Sequence, residues 1–289
     1  MYLKRIMLTI VAFACSLTFA HADWTAKQVA VLKGFDKPEC VAVDAASGVA
    51  YVSNVVAATE GEGFDRFWAD DGTGFISRLK DGKTDQLKWI DSTDDADLNG
   101  PKGMCIARGK LWINDNHRLL AYPLDGGKRQ VIEIPDAKSV NDLAADGDIV
   151  HVTDTGTGRI HRLTADGMGE IPAPEAVNGV TAYGGKLFAV SWGLHDIYEL
   201  DPKGKNLPQA FGLADQFESL DTIEVLEDGS MIVSDFLGGK VCVVSPDRKT
   251  VRTIVETTTP ADVGLDRKRM LLYVPSLMKD VVEVYKLED

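Results

Sequence analysis

The chain has 289 residues, 45% of them hydrophobic, with 31 Lys and Arg against 44 Asp and Glu for a formal charge of −13. That composition can bury a large core and excludes a disordered or fibrous polymer. No basic run interrupts the acidic excess, so neither a nucleic-acid backbone nor an anionic membrane surface is an expected partner.

The first segment reads as an export signal. Lys4 and Arg5 precede an apolar run at residues 6–14, and Ala20-His21-Ala22 supplies small residues at the spacing of a cleavage site. The run is shorter than the roughly 20 residues that cross a bilayer. The expected organisation is a signal peptide at residues 1–22 and one folded domain at residues 23–289, periplasmic or secreted. Without Lys4 and Arg5 the balance is 29 cations to 44 acids, a charge of −15. Cys40, Cys105 and Cys242 then remain, with no C-x-x-C spacing. They are expected as small buried hydrophobes, one disulfide between two of them being the alternative.

From residue 24 onward the sequence is built of strands. "WTAKQVAVL" stands alone, and six copies of one unit follow, opening with "PECVAVD", "PKGMCIA", "VNDLAAD", "VNGVTAY", "LDTIEVL" and "PADVGLD". Each opening strand leads through a Gly/Asp/Lys turn into a second apolar run that ends in a small or acidic residue, such as "AYVSN", "LWIND", "VHVTD" or "MIVSD". A third strand follows in every copy, for example "GFISRL", "GRIHRL" and "VVEVYKL". A fourth follows in five of them, from "QLKWI" to "VRTIVE", with "GEIPA" and "LPQAF" the weakest. The sixth copy ends at Asp289 without room for a fourth strand, and the solitary N-terminal strand is free to supply it. The predicted fold is therefore all-β: a six-bladed β-propeller of four-stranded blades, closed by its N-terminal strand.

The second residue of each opening strand varies in an informative way. In a propeller these strands line the central channel, so Glu39, Lys102, Asn141, Asn178, Asp221 and Ala261 converge near one mouth. Two carboxylates and two carboxamides, with no His or Cys cluster beside them, form an oxygen-rich set. Buried like charges need a compensating cation, and hard oxygen donors suit Ca²⁺ first, with Mg²⁺, Mn²⁺ or Zn²⁺ as competitors. The alternatives are that Asn and Asp serve as ordinary turn residues, or that Lys102 neutralises Glu39 or Asp221 in place of a metal.

Successive copies of this position are 63, 39, 37, 43 and 40 residues apart, and the surplus in the first blade falls between Asn54 and Phe75. That insertion opens on the same mouth, and its Phe64, Phe67 and Trp68 are expected either to cover bound substrate or to pack as a surface loop. His117 and His195, in loops joining second to third strands, share that mouth and are candidates to assist with substrate or to be merely solvated. Asp142 and Asp262 follow the ring position by one residue and are expected to orient it.

At these residues the chain resembles the gluconolactonase/regucalcin family of six-bladed propellers and, more distantly, diisopropylfluorophosphatase and paraoxonase. The family's metal ligands match Glu39 in "PEC", Asn141 in "VND", Asn178 in "VNG" and Asp221 in "LDT". Cys40, Val177 and Thr222 depart from residues usual at its motifs. The resemblance implies a divalent ion, usually calcium, holding a lactone carbonyl while water attacks, with Asp221 as base. Neither G-x-S-x-G nor H-E-x-x-H occurs to suggest another hydrolytic apparatus. The expected function is metal-dependent hydrolysis of a sugar lactone or small ester, with Lys102, His117, His195 and Trp68 toward the substrate. A non-catalytic, NHL-like binding propeller is the alternative, and a metal-free strictosidine-synthase-like one a third. A small-molecule substrate and a monomeric ring complete the expectation.

Overall fold

The computed structural model describes residues 23–92, 97–125 and 128–289. The proposed signal peptide, residues 1–22, lies outside them. Six four-stranded antiparallel sheets follow one another around a ring, and no α-helix occurs among the described residues. Innermost strands are Pro38–Val43, Pro101–Ala107, Val140–Asp146, Val177–Tyr183, Leu220–Val225 and Gly264–Asp266. The N-terminal strand Thr25–Lys33 pairs with Val281–Glu288, from Thr25 opposite Glu288 to Lys33 opposite Val281, and completes the sixth sheet. Joining the N-terminal strand to the last strand in one blade closes the ring and leaves only the outer strand of each blade as an edge.

A single sheet of this size has two apolar faces and cannot cover them alone, so the core lies between blades. Phe188, Val190 and Ile197 of the fourth blade pack against Leu220, Ile223 and Val233 of the fifth. Trp112 and Leu119 of the second meet Val140, Leu143 and Val152 of the third. Burial falls from axis to rim: Pro38–Val43 is buried almost throughout, whereas the outer strand Lys83–Asp91 is mostly exposed. Cys40, Cys105 and Cys242 are buried free thiols, as expected of small core residues.

The acidic residues closing the second strands of blades two, three and five hold the entry to their own blade in place. Asp115 Oδ1 accepts the backbone N–H groups of Asn99 (2.8 Å) and Gly100 (3.0 Å). Asp154 accepts those of Lys138 and Ser139, and Asp235 those of Glu218 and Ser219. Each carboxylate thus satisfies the two turn amides immediately before the innermost strand of its own blade.

The sixth blade departs from expectation. "PADVGLD" is expected as one strand from Pro260, but after the bridge from Pro260 to Ser276 and the bond from Ala261 N–H to the Pro275 carbonyl (2.9 Å) its own ladder breaks until Gly264–Asp266. The stretch before it turns to the first blade: Asp262 N–H donates to the Glu39 carbonyl (2.8 Å) and Val41 N–H to the Asp262 carbonyl (3.2 Å). This clasp seals the ring at the axis.

Candidate functional site

A repeated irregularity shapes the channel. In each of the first five blades the innermost strand carries one residue more than its partner between the first and second paired positions. Pro38 pairs with Asn54 but Val41 with Val52, and the same shift follows Pro101, Val140, Val177 and Leu220. Such a bulge re-aims side chains and leaves a backbone amide without its ladder partner. A hydroxyl on the second strand takes over in three blades: Ser53 Oγ accepts from Cys40 N–H (2.9 Å), Thr153 Oγ1 from Asp142 N–H (2.8 Å) and Ser234 Oγ from Thr222 N–H (3.1 Å).

The bulge places consecutive residues in different cavities. Glu39, Lys102, Asn141, Asn178 and Asp221 line one of about 230 Å³, while Cys40, Asp142, Thr222 and Asp262 line another of about 360 Å³ along the channel. At Gly103 and Gly179 neighbouring backbones come too close for any side chain. A Cβ on Gly179 would lie 2.4 Å from the Asp221 carbonyl, and one on Gly103 2.4 Å from Asp142 Cα. Ala261, the sixth ring position, contributes no polar group and packs with Val55, Phe67 and Leu277.

The polar floor is crowded with charge. Asn178 Nδ2 donates to Asp221 Oδ1 at 2.6 Å. Burial, then the negative charge of Asp262, pushes the Asp221 carboxyl up to about 7, with the Asn178 bond opposing. Burial raises Glu39 well above the usual carboxylate range; Asp221 and Asp262 add to this and Lys102 opposes it. Glu39 Oε2 is buried and has no hydrogen-bond partner among the described residues. Asn141 is half-buried at the same cavity.

Lys102 faces this cavity but its charge is directed elsewhere. Its Nζ donates to the carbonyls of Phe67 (2.8 Å) and Gly100 (3.0 Å) and to Asn116 Oδ1 (3.2 Å), and lies 3.7 Å from the centre of the Trp68 ring. No carboxylate among the described residues forms an ion pair with it, so it does not neutralise Glu39 or Asp221 by direct contact. Burial lowers its ammonium to about 8, against the pull of Glu39, Asp115 and Asp70. Asn116 completes the fastening, its Nδ2 donating to the Trp68 and Ala69 carbonyls and to Asp70 Oδ1. The first-blade insertion therefore lies over the cavity, with Phe64, Phe67 and Trp68 in its lining.

Beneath the floor, the residues that follow each ring position tie blades together. Asp142 accepts from Leu143 N–H (2.6 Å) and, across to the fourth blade, from Val180 N–H (2.7 Å). Thr222 Oγ1 donates to Asp262 Oδ1 (2.5 Å), and Met104 N–H to Cys40 Sγ (3.3 Å). Asp142 thus ties the third blade to the fourth, Asp262 the sixth to the fifth, and Cys40 the first to the second.

His117 and His195 are not brought to the cavity. His117 is exposed in the turn after Asp115, and His195 is half-buried in a turn at φ 58°; neither lines the walls, because both turn positions lie beyond the rim. The residues missing from the sequence reading belong to a second repeated position, directly after each second strand. Val55, Asn116, Thr155, Trp192, Phe236 and Leu277 occupy it, and all but Asn116 line the cavity. Its signal was present: the position is fixed relative to the acidic or small residue before it.

No protein-family model matches the chain, and no curated protein matches it. Among solved structures, a gluconolactonase from Xanthomonas campestris superposes with a TM-score of 0.69 at 16% identity, covering 93% of this chain and 97% of the other. This chain shares that protein's fold. A streptogramin B lyase (TM-score 0.63, 13% identity, 93% and 98% covered) and a virginiamycin B lyase from Staphylococcus aureus (0.60, 14%, 91% and 99%) share it as well. At these identities the likeness is one of architecture.

The donor set suits a hard divalent cation. Asp221 raises the cost of ionising Glu39, Asp262 does the same for both, and Glu39 keeps a buried acceptor without a donor. No group of three His, Cys, Asp or Glu among the described residues offers a metal site, which leaves the two amides, Asn141 and Asn178, as the remaining donors.

Proposed function

We propose that this cavity hydrolyses a lactone or related small ester, with Glu39, Asn141, Asn178 and Asp221 holding a divalent cation, calcium first. The observation that carries the reading is the partnerless buried oxygen of Glu39 in the same cavity as a second carboxylate and two amides. When bound, the cation supplies a Lewis acid for the ester carbonyl and a source of hydroxide at neutral pH.

The chain's own residues supply the rest. Asn178 fixes Asp221 through Oδ1, leaving Oδ2 to take the proton of the attacking water. The insertion fastened by Lys102 and Asn116 limits bulk water above the reacting carbonyl. Lys102 itself is committed to three acceptors and does not act as nucleophile. Export through residues 1–22 and a monomeric ring belong to the same proposal. No helix among the described residues is long and apolar enough to cross a membrane.

The test is calorimetric calcium titration and metal analysis of the full mature chain beside Glu39→Gln and Asp221→Asn, then a panel of lactones and esters with and without chelator. The expected result is one cation per chain, lost in both variants, and chelator-sensitive hydrolysis. Running the reaction in ¹⁸O-water separates hydrolysis, which labels the new carboxylate, from elimination, which does not. A full metal complement with no turnover would leave a binding propeller with a structural ion.

A further inference from the structure

The walls above the polar floor are not polar. Around the second repeated position, blades four, five, six and one contribute Trp192, Phe236, Leu277 and Val55 to the wall and blade three contributes Thr155, while Asn116 of blade two is turned to the insertion and does not line it. The cavity is therefore divided into an apolar arc and a shorter polar one. The insertion extends the apolar side: the Phe64 ring stands 6.2 Å from Trp192, 6.1 Å from Phe236 and 5.9 Å from Phe67, and Trp192 stands 5.4 Å from Phe236. These separations are those of mutually packed aromatic rings.

The rim continues the pattern. Large hydrophobic side chains exposed on second-to-third-strand loops are Phe64, Leu194, Leu237 and Met278. Leu237 directly follows Phe236, Met278 directly follows Leu277, and Leu194 is two residues beyond Trp192. The apolar arc thus runs from the floor out to solvent on one side of the mouth. A polyhydroxylated ring would bury its hydroxyls against these aromatics without partners, at a cost that each unpaired hydroxyl incurs.

Resting on the hydrolase reading, we propose that the substrate is a small lactone or ester carrying an apolar tail, its carbonyl at the Glu39/Asn141/Asn178/Asp221 floor and its tail along Trp192, Phe236 and Leu277 toward the Phe64 rim. The volume of about 230 Å³ limits it to a compact ring with a tail of a few carbons, since drug-sized ligands fill roughly 300–1,000 Å³. Burying one methylene corresponds to roughly a fourfold gain in binding.

Two series test this on the full mature chain with calcium present. Saturated γ-lactones with tails from none to six carbons, and gluconolactone, are compared by kcat/KM. The matching γ-lactams, which resist hydrolysis, are compared by quenching of tryptophan fluorescence. The expected result is a roughly fourfold rise per methylene in both series up to a limit set by the cavity. In Phe64→Ala, whose ring is half exposed and whose loss leaves the core intact, and in Phe236→Ala the rise flattens. Tail-dependent lactam binding without turnover of any lactone would keep the assignment of the apolar arc to a ligand's tail and end the hydrolase reading. Faster turnover of gluconolactone than of every alkyl lactone, or lactam binding indifferent to tail length, would overturn the proposal and leave the hydrolase reading untouched.

Discussion

Replacing Lys102 by Met removes a buried cation while keeping most of its length, and its effect can be worked from the contacts. Three hydrogen bonds from a charged donor contribute roughly 1.5–3 kcal/mol each, and stacking on Trp68 adds about 2. Against this stands the cost of burying the ammonium: lowering its pKa from 10.5 to about 8 corresponds to about 3 kcal/mol. At least about 3 kcal/mol is left to hold the Phe67 and Trp68 backbone over the cavity. The amides of Ala58, bonded to the Arg66 carbonyl, and Trp68, bonded to that of Asp65, report on that segment. In Lys102→Met, native-state hydrogen exchange at Ala58 and Trp68 is expected to accelerate at least about 100-fold, with Ile223 on the far side of the ring unchanged. Asn116→Ala should produce much of the same acceleration, and the two changes together less than their sum, because they undo one fastening. Unchanged exchange at Ala58 and Trp68 would refute the reasoning. Equal acceleration across all blades would show instead that Lys102 supports the whole ring.

Gly179→Ala forces a Cβ against the Asp221 carbonyl and Thr222 Cα, backbone atoms that cannot swing away, so a loss of roughly 2–3 kcal/mol is expected in thermal denaturation. Gly109→Ala, where nothing lies within 4 Å, should cost only its left-handed φ, about 1 kcal/mol. Ser234→Ala leaves the Thr222 bulge amide without an acceptor and should cost roughly 1–3 kcal/mol, measured by denaturant titration. In chelator, stability should fall as pH rises from about 4 to about 7. Glu39, Asp142 and Asp221 have raised folded-state pKa values, so the folded chain holds protons that the unfolded chain has released, and the slope is negative. Asp221 alone corresponds to about 4 kcal/mol at most. Saturating calcium should flatten that slope, and a Tm that rises over this window in chelator would contradict it.

The ring was legible because its inner strands repeat an apolar pattern that burial enforces on both faces. Legibility faded outward with burial. The fourth strand of the fourth blade shrinks to Gln209–Ala210, both exposed, after Pro208, which has no N–H to give a ladder. The sixth inner strand starts in its own hairpin, Pro260 opposite Ser276, and is interrupted after Ala261 because Asp262 pairs with the first blade through the Glu39 carbonyl and the Val41 amide.

At the site, the convergence of Glu39, Lys102, Asn141, Asn178 and Asp221 was readable because equivalent positions of a closed ring must meet at its axis. The direction of the Lys102 charge was not, since its shortest bond is to the Phe67 carbonyl, in an insertion that breaks the repeat. The apolar arc went unseen for a different reason: Trp192, Phe236 and Leu277 follow strands that already end in core-like residues, so hydrophobicity alone does not separate a wall from a core. Only the fixed offset from Ser191, Asp235 and Ser276 does so. Those three residues anchor the turns or loop stretches before their blades' inner strands, through the Glu175 carbonyl, the Glu218 and Ser219 amides and the Thr258 carbonyl. The same anchor therefore sets both rings of the cavity, the polar floor from the strand it positions and the apolar wall from the residue it precedes. A substitution at Asp235 should accordingly disturb Asp221 and Phe236 together, which no arrangement of independent loops would require.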